Sequence, residues 1–267
     1  VSTPAVWDID GDGQLEAVIG TGSGDLVAVN LEPELSIQWR LTGLKAIQSS
    51  PAIGNVIGDD EPEIVVYTDN GRLFVLPNPP ESTQPQPVGV SPVFEGGSHG
   101  VFAVAAYSPC LGDLDLDALS EIVLGTPSLP TVRGKLHILN GDGTSVVETD
   151  ASGAAFTAAG QITTAPALAD VNGNGRFDIV LATTVGTSMG ELLAFEVNLE
   201  SRELIRLFKQ DLPSPPSSSP VVADYNPARN MFLGLIGGRL VSYYWNGAEV
   251  VETSEVMATD PQGQDVY

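Results

Sequence analysis

Cysteine is almost missing from this chain. Cys110 is the only one among 267 residues, so no intrachain disulfide and no cysteine-built zinc site can form. In its setting, Ser108-Pro109-Cys110-Leu111, it reads as a small core residue. Positive charge is scarce as well: 11 Lys and Arg face 34 Asp and Glu, a net charge of −23. Nucleic-acid binding needs basic side chains to neutralise phosphates, so this balance argues against a nucleic-acid partner and against anionic membrane surfaces. No stretch approaches the ~18 consecutive apolar residues of a spanning helix, so no membrane insertion is expected. Histidine is limited to His99 and His137, which leaves few general bases. A long helical period, an initiator Met, a signal peptide and an Asn-x-Ser/Thr sequon are also missing. The chain is therefore expected to be a processed product or an excised part of something longer.

Glycine (29) and proline (20) are abundant, and 42% of the residues are apolar. A packed core is within reach, with many short strands joined by tight turns. The strongest signal is internal repetition. Pro4, Pro51, Pro109, Pro166 and Pro220 each open a copy of one pattern, separated by 47, 58, 57 and 54 residues. Units of about 1–47, 48–105, 106–162, 163–216 and 217–267 fill the chain as one domain. Within each unit an apolar run follows the proline, then an acidic loop, then a β-branched run such as Glu16 to Gly20 or Ile122 to Gly125. A third run follows a glycine turn. The fourth runs are Ser36 to Leu41, Val90 to Phe94, Ser145 to Thr149, Glu203 to Phe208 and Glu249 to Glu255. Two proline-rich stretches, Asn78 to Pro87 and Pro213 to Pro220, read as extended surface loops. Four strands per unit, repeated radially, predict an all-β fold: a β-propeller of four-stranded antiparallel blades, with five repeats visible.

The acidic loops carry the chemistry. Asp8-Ile-Asp10-Gly-Asp12-Gly-Gln14-Leu-Glu16 places side-chain oxygens at positions 1, 3, 5 and 9, and position 7 (Gln14) offers its carbonyl. Ca²⁺ accepts 6–8 oxygen ligands of mixed type, and a glycine at position 6 permits the sharp turn. The third unit gives Asp113, Asp115, Asp117, Leu119 (carbonyl) and Glu121, with Ala118 in the glycine's place. The fourth gives Asp170, Asn172, Asn174, Arg176 (carbonyl) and Asp178. The second keeps Asn55, Asp59 and Glu63 but has Ile57 at position 3 and Asp60 at position 6. The fifth keeps Asp224 and Asn226, then Ala228 and Phe232 where donors belong. About three Ca²⁺ sites are expected, with the second loop doubtful and the fifth without one. An EF-hand needs a bidentate acid at position 12, where Ile19, Leu124 and Leu181 stand instead. The plainer reading is that Asp, Asn and Gly merely make turns; three loops with donors at the same offsets favour the cation.

At these residues the sequence resembles the FG-GAP, or integrin-α N-terminal-like, repeat. The resemblance covers all five units and is strongest in the first, third and fourth. It implies a propeller with calcium on one rim, between the first and second strands of a blade, and ligands meeting the opposite face. Such propellers commonly have seven blades, so five units imply either a five-bladed ring or missing blades.

Catalytic candidates are weak. Gly186-Thr-Ser188-Met-Gly190 matches a hydrolase nucleophile elbow, which requires a strand–turn–helix setting; here strand runs flank it. His137 lies in a strand run and reads as packed, while His99 sits in a glycine-rich loop. Trp7 reads as core. Tyr243-Tyr244-Trp245 reads as packing between blades, with a sugar-stacking platform as the lesser alternative. No catalytic residue is assigned. The expected function is an extracellular, cell-surface or periplasmic calcium-binding interaction, adhesion or assembly module, with a protein partner or copies of itself. A glycan-binding lectin is the first alternative. The second is an accessory domain of a secreted carbohydrate-active or hydrolytic enzyme.

Overall fold

The computed structural model describes residues 2–59, 61–77, 87, 89–90, 108–126, 133–225 and 228–257. No helix occurs among them. Five antiparallel sheets form instead. The first joins β1 (Ala5–Trp7), β2 (Glu16–Gly20), β3 (Leu26–Asn30) and β4 (Ser36–Leu41) in chain order. The second joins β5 (Ala52–Gly54), β6 (Glu63–Tyr67), β7 (Leu73–Pro77) and β8 (Gly89–Val90). The third joins β9 (Cys110–Gly112), β10 (Glu121–Thr126), β11 (Lys135–Leu139) and β12 (Phe156–Thr157). In the fourth, β13 (Gln161–Ile162) and β14 (Ala167–Ala169) both pair with β15 (Asp178–Val185), followed by β16 (Met189–Asn198) and β17 (Glu203–Leu212). The fifth joins β18 (Val221–Tyr225), β19 (Ala228–Leu235), β20 (Arg239–Trp245) and β21 (Val250–Met257).

Three expectations change. Ser145 to Thr149 is not the outer strand of the third sheet; only Ser145 bridges to Leu139, and β12 takes the edge. The neighbouring sheet captures that segment. Arg202, in the turn between β16 and β17, donates to the carbonyls of Val146 (3.1 Å) and Ser145 (2.7 Å), and Glu148 N–H donates to the Arg202 carbonyl (2.7 Å). Pro213 to Pro220 is not a surface loop throughout, since Pro215 and Pro216 are buried. A proline can still offer its carbonyl: Ile236 N–H donates to Pro215 (2.8 Å), and Ser217 N–H donates to Gly234 (2.8 Å), so the segment lies along β19. Trp7 is 51% exposed rather than core. Its place is held in later units by Gly54, Gly112 and Ala169, and a Cβ at Gly112 would lie 2.7 Å from Leu168. An indole cannot enter such a contact between sheets. Of the run Val90 to Phe94 only Val90 is described, as part of β8; residues 78–86, His99 and Val101 to Tyr107 lie outside the described residues.

The first strands of successive sheets lie side by side: β1 near β5, β5 near β9, β9 near β14, and β14 near β18. Hydroxyls fix this row. Two residues before the anchor prolines, the hydroxyl oxygens of Ser2 and Ser49 accept from the strand-two N–H groups of Gly20 (2.8 Å) and Tyr67 (3.2 Å). Thr164 Oγ1 donates to the Ala182 carbonyl (3.0 Å), and Ser218 Oγ accepts from Gly234 N–H (2.9 Å). One residue before the prolines, the bond crosses between units. Thr3 N–H donates to Ser50 Oγ (3.3 Å), Ser50 N–H to Ser108 Oγ (2.9 Å), and Ala165 N–H to Ser219 Oγ (3.0 Å).

The core is accordingly divided among the interfaces. One cluster, with Val18, Trp39, Ile47 and Ile64, lies between the first two sheets. A second, with Val65, Leu73 and Ile122, lies between the second and third. Leu136, Ile138, Ile179 and Phe195 fill the next, and Val180, Met231 and Tyr243 the last. Trp245 stacks on Phe208 there, ring centroids 5.7 Å apart, so Tyr243 and Trp245 pack between sheets. The far faces of the terminal sheets are half-open. Val6 (49%) and Ile37 (56%) flank Ala17 and Val29 on the first, while Val221 (60%) and Leu240 (48%) stand on the fifth.

Candidate metal centre

The first four acidic loops each join a unit's innermost strand to the next (β1 to β2, β5 to β6, β9 to β10, β14 to β15), so they emerge at one end of the sheets. Their shape follows from local side-chain-to-backbone bonds. In the first loop Asp8 accepts from Gly11 N–H (2.8 Å) and Gly13 N–H (3.0 Å), Asp10 from Asp12 N–H (3.2 Å), and Asp12 from Gln14 N–H (2.8 Å). The third loop repeats this set: Asp113 with Leu116 (2.6 Å) and Ala118 (3.1 Å), Asp115 with Asp117 (3.2 Å), Asp117 with Leu119 (2.8 Å). So does the fourth: Asp170 with Gly173 (2.7 Å) and Gly175 (3.0 Å), Asn172 with Asn174 (3.0 Å), Asn174 with Arg176 (2.9 Å). Positions 4 and 6 take left-handed backbone in each, at Gly11 and Gly13, Leu116 and Ala118, and Gly173 and Gly175. The need at position 6 was legible in the sequence; the same need at position 4 was not.

The last acid of each loop turns back into the sheet. Glu16 accepts from Ile9 N–H (3.1 Å), Glu63 from Val56 N–H (2.9 Å), Glu121 from Leu114 N–H (2.6 Å) and Asp178 from Val171 N–H (2.8 Å). One oxygen thereby closes the loop; in Asp178 the other also accepts from Asn172 Nδ2 (3.4 Å). All four residues are buried, and burial raises each carboxyl above its usual range. Glu121 is pushed up to about 7 and Asp178 to about 6, with neighbouring acids adding to the burial effect. Asp115 is raised too, first by burial and then by Asp117.

Asp8, Asp10 and Glu16 bring carboxylate oxygens within 4.8 Å of one another, as do Asp113, Asp115 and Glu121. This donor set fits a hard cation with oxygen ligands. One buried oxygen without a partner stands beside the first set: Asn30 Oδ1, directly across the β2–β3 pair from Glu16. A cavity of about 600 Å³ lined by Asp115, Asp117, Asn140 and Arg202 opens beside the third loop and gives an entry path.

Sequence reasoning missed several residues that reach the loops from outside. Gln38 on β4 donates to Asp10 (2.6 Å), and Glu196 on β16 accepts from Asn172 (3.2 Å) and Asn174 (3.0 Å). Strand pairing brings them there, and no spacing along the chain announces it. The fifth unit also needs correction. Tyr225 pairs with Ala228 and Val221 with Phe232, so no nine-residue loop forms and the place of Glu16 belongs to Asn230, not Phe232. Asn230 is buried and accepts from Thr253 (3.2 Å). Asp60 and Asn226 lie outside the described residues.

Ser188 sits in the turn between β15 and β16, with a strand on each side. His137 is buried at 1%; its Nδ1 donates to the Gly153 carbonyl (3.1 Å), and burial lowers the ring to about 4, so it stays neutral at physiological pH.

No protein-family model and no curated protein matches this chain. Solved structures do. A crystal structure of BBS1N in complex with ARL6DN, soaked with lead, matches with a TM-score of 0.62 and 17% identity, covering 98% of this chain and 73% of that one. The mercury-soaked form gives 0.61 and 13% over 98% and 74%. A crystal structure of the mitotic checkpoint complex gives 0.56 and 13% over 96% and 66%. These are β-propeller proteins, and the likeness shows the fold.

Proposed function

We propose that this chain is a calcium-binding β-propeller of the FG-GAP type, a single domain of five blades that works outside the cell as a non-catalytic interaction, adhesion or assembly module. Three loops carry the reading: each repeats the same backbone bonds, the same donor offsets and the same buried final acid. Asp8, Asp10, Asp12, Glu16 and the Gln14 carbonyl would hold the first ion. Asp113, Asp115, Asp117, Glu121 and the Leu119 carbonyl would hold the second, and Asp170, Asn172, Asn174, Asp178 and the Arg176 carbonyl the third. The ions would neutralise acids that otherwise repel one another and would rigidify the rim. A protein partner is supported by the propeller BBS1N, which was crystallised in complex with ARL6DN. Ser188 lies between two strands, without the helix that a nucleophile elbow requires.

Calcium titration of the metal-stripped chain by isothermal calorimetry tests the reading. A stoichiometry near three is expected. A stoichiometry of zero at millimolar calcium would overturn it.

A further inference from the structure

The fourth loop differs from the first in charge. Asn172 and Asn174 stand where the first loop has Asp10 and Asp12. An amide has one acceptor atom and one donor atom, so it can turn its nitrogen toward a cation as readily as its oxygen. A carboxylate has no such ambiguity. Something must therefore hold both amides with Oδ1 facing the loop.

Glu196, on β16, is placed to do it. Phe195 pairs with Ile179, so Glu196 stands beside Asp178 at the base of the loop. Its Oε2 accepts from Asn172 Nδ2 at 3.2 Å and its Oε1 from Asn174 Nδ2 at 3.0 Å. Asp178 Oδ1 is a second acceptor for Asn172 Nδ2, at 3.4 Å. A carboxylate only accepts, so the Asn174 nitrogen is drawn to β16, while the Asn172 nitrogen is shared between Glu196 and the loop's own Asp178. Both Oδ1 atoms are thereby kept within the loop, where they accept from Asn174 N–H (3.0 Å) and Arg176 N–H (2.9 Å). The first loop uses the inverse arrangement: the outward oxygens Oδ2 of Asp10 and Asp12 accept from the amides of Gln38 (2.6 Å) and Gln14 (3.1 Å). In the first loop Asp10 is met by an amide from β4 and Asp12 by an amide of the loop itself; in the fourth both amides are met by one acid outside the loop.

We infer that Glu196 is a positioning residue for cation binding in the fourth loop: it fixes the amide orientation of Asn172 and Asn174 and restores one of the two charges those residues lack. The inference rests on the calcium reading above. Partners outside the ligand set commonly change metal affinity ten- to a hundredfold.

The test is calcium titration of the full chain, unsubstituted and with Glu196→Gln, followed by the triple variant Asn172→Asp, Asn174→Asp, Glu196→Gln. Glu196→Gln is expected to weaken one site by about tenfold or more and to leave the others unchanged. The triple variant, which rebuilds the first loop's arrangement, is expected to recover most of that loss; a merely structural role for Glu196 would not be rescued this way. Three sites of unchanged affinity in Glu196→Gln overturn the inference and leave calcium binding intact. So does a triple variant that binds no tighter than Glu196→Gln. An unsubstituted chain that binds no calcium overturns the calcium reading itself. If Glu196→Gln does not fold, the comparison passes to Glu196→Asp, which keeps the charge but is one methylene too short to reach both amides; it is expected to weaken one site severalfold, while unchanged affinity overturns the inference.

Discussion

Asp8 to Glu16 and Asn55 to Glu63 open and close in the same way with different donors. Gly11 N–H bonds to Asp8 (2.8 Å) as Gly58 N–H bonds to Asn55 (2.9 Å), and Glu63 closes its loop on Val56 as Glu16 does on Ile9. Yet Asp10 faces Glu16 within ligand distance, while Ile57, in the equivalent place, is 36% exposed and offers no oxygen. The turn has survived where the ligand set has lapsed. Loop geometry and cation binding are thus separable, and each can be attacked alone.

Calcium removal should have the largest effect. A ligand bound only by the folded state adds about 2.7 kcal/mol at a hundred times its dissociation constant, and several such sites act together. Thermal melting of EDTA-treated chain should rise markedly on adding millimolar calcium. Asp10→Ala and Asp115→Ala should each lower the calcium stoichiometry by one; Asp59→Ala should leave it unchanged. A loss of stoichiometry in Asp59→Ala would erase the distinction between the two loops.

The complementary attack spares the cation and removes the closing acid. Glu63→Ala and Glu121→Ala each strip a buried N–H of its acceptor, at a cost of about 2 kcal/mol. Denaturant unfolding in EDTA should show comparable losses in both. Only Glu121→Ala should also abolish a calcium site. If Glu63→Ala were neutral in EDTA, the buried carboxylate would not be what closes the second loop.

Much of this was legible from sequence because it is local. Proline anchors, loop offsets and the β-branched runs gave β2, β3 and β4 with their observed ends, since period-2 patterning and turn residues act over a few positions. What escaped depends on neighbours. Ser145 to Thr149 has a strand's composition, but Arg202 from the next sheet takes its carbonyls. Trp7 is apolar, but its equivalents are small because the next sheet approaches closely. Gln38 and Glu196 reach the loops through strand register. The fifth loop was misaligned by two residues because a hairpin there replaces the loop.

Acidity offers a third test. Unfolded, Glu121 titrates near 4.5; in the folded metal-free chain it titrates at about 7. The folded state holds this proton more tightly, so the stabilisation is complete below about 4.5 and is lost as pH rises to about 7. Asp178 acts in the same direction between 3.8 and about 6. Melting in EDTA should therefore fall between pH 5 and pH 7. Calcium, which binds the deprotonated form, should flatten or reverse the trend. A metal-free chain that gains stability over this interval would contradict the burial of these acids.

The smallest effect lies inside the third loop. Its positions 4 and 6, Leu116 and Ala118, sit at φ of 63° and 73°, where the first loop has Gly11 and Gly13 at 73° and 87°. Left-handed backbone costs a residue with a Cβ roughly 1–2 kcal/mol, and glycine removes that strain while adding freedom to the unfolded chain. Leu116 is also 58% exposed, so its replacement forfeits little burial. Leu116→Gly should consequently stabilise the chain by about 0.5 kcal/mol, and Ala118→Gly similarly. Both should leave calcium stoichiometry unchanged, because Asp113 accepts from the backbone N–H of these positions and not from their side chains. Equilibrium unfolding with and without calcium separates the outcomes. A gain seen only in EDTA would mean that the ion already holds the loop against its own strain. A loss in both conditions would mean that the Leu116 side chain, not the backbone, sets the conformation of the turn.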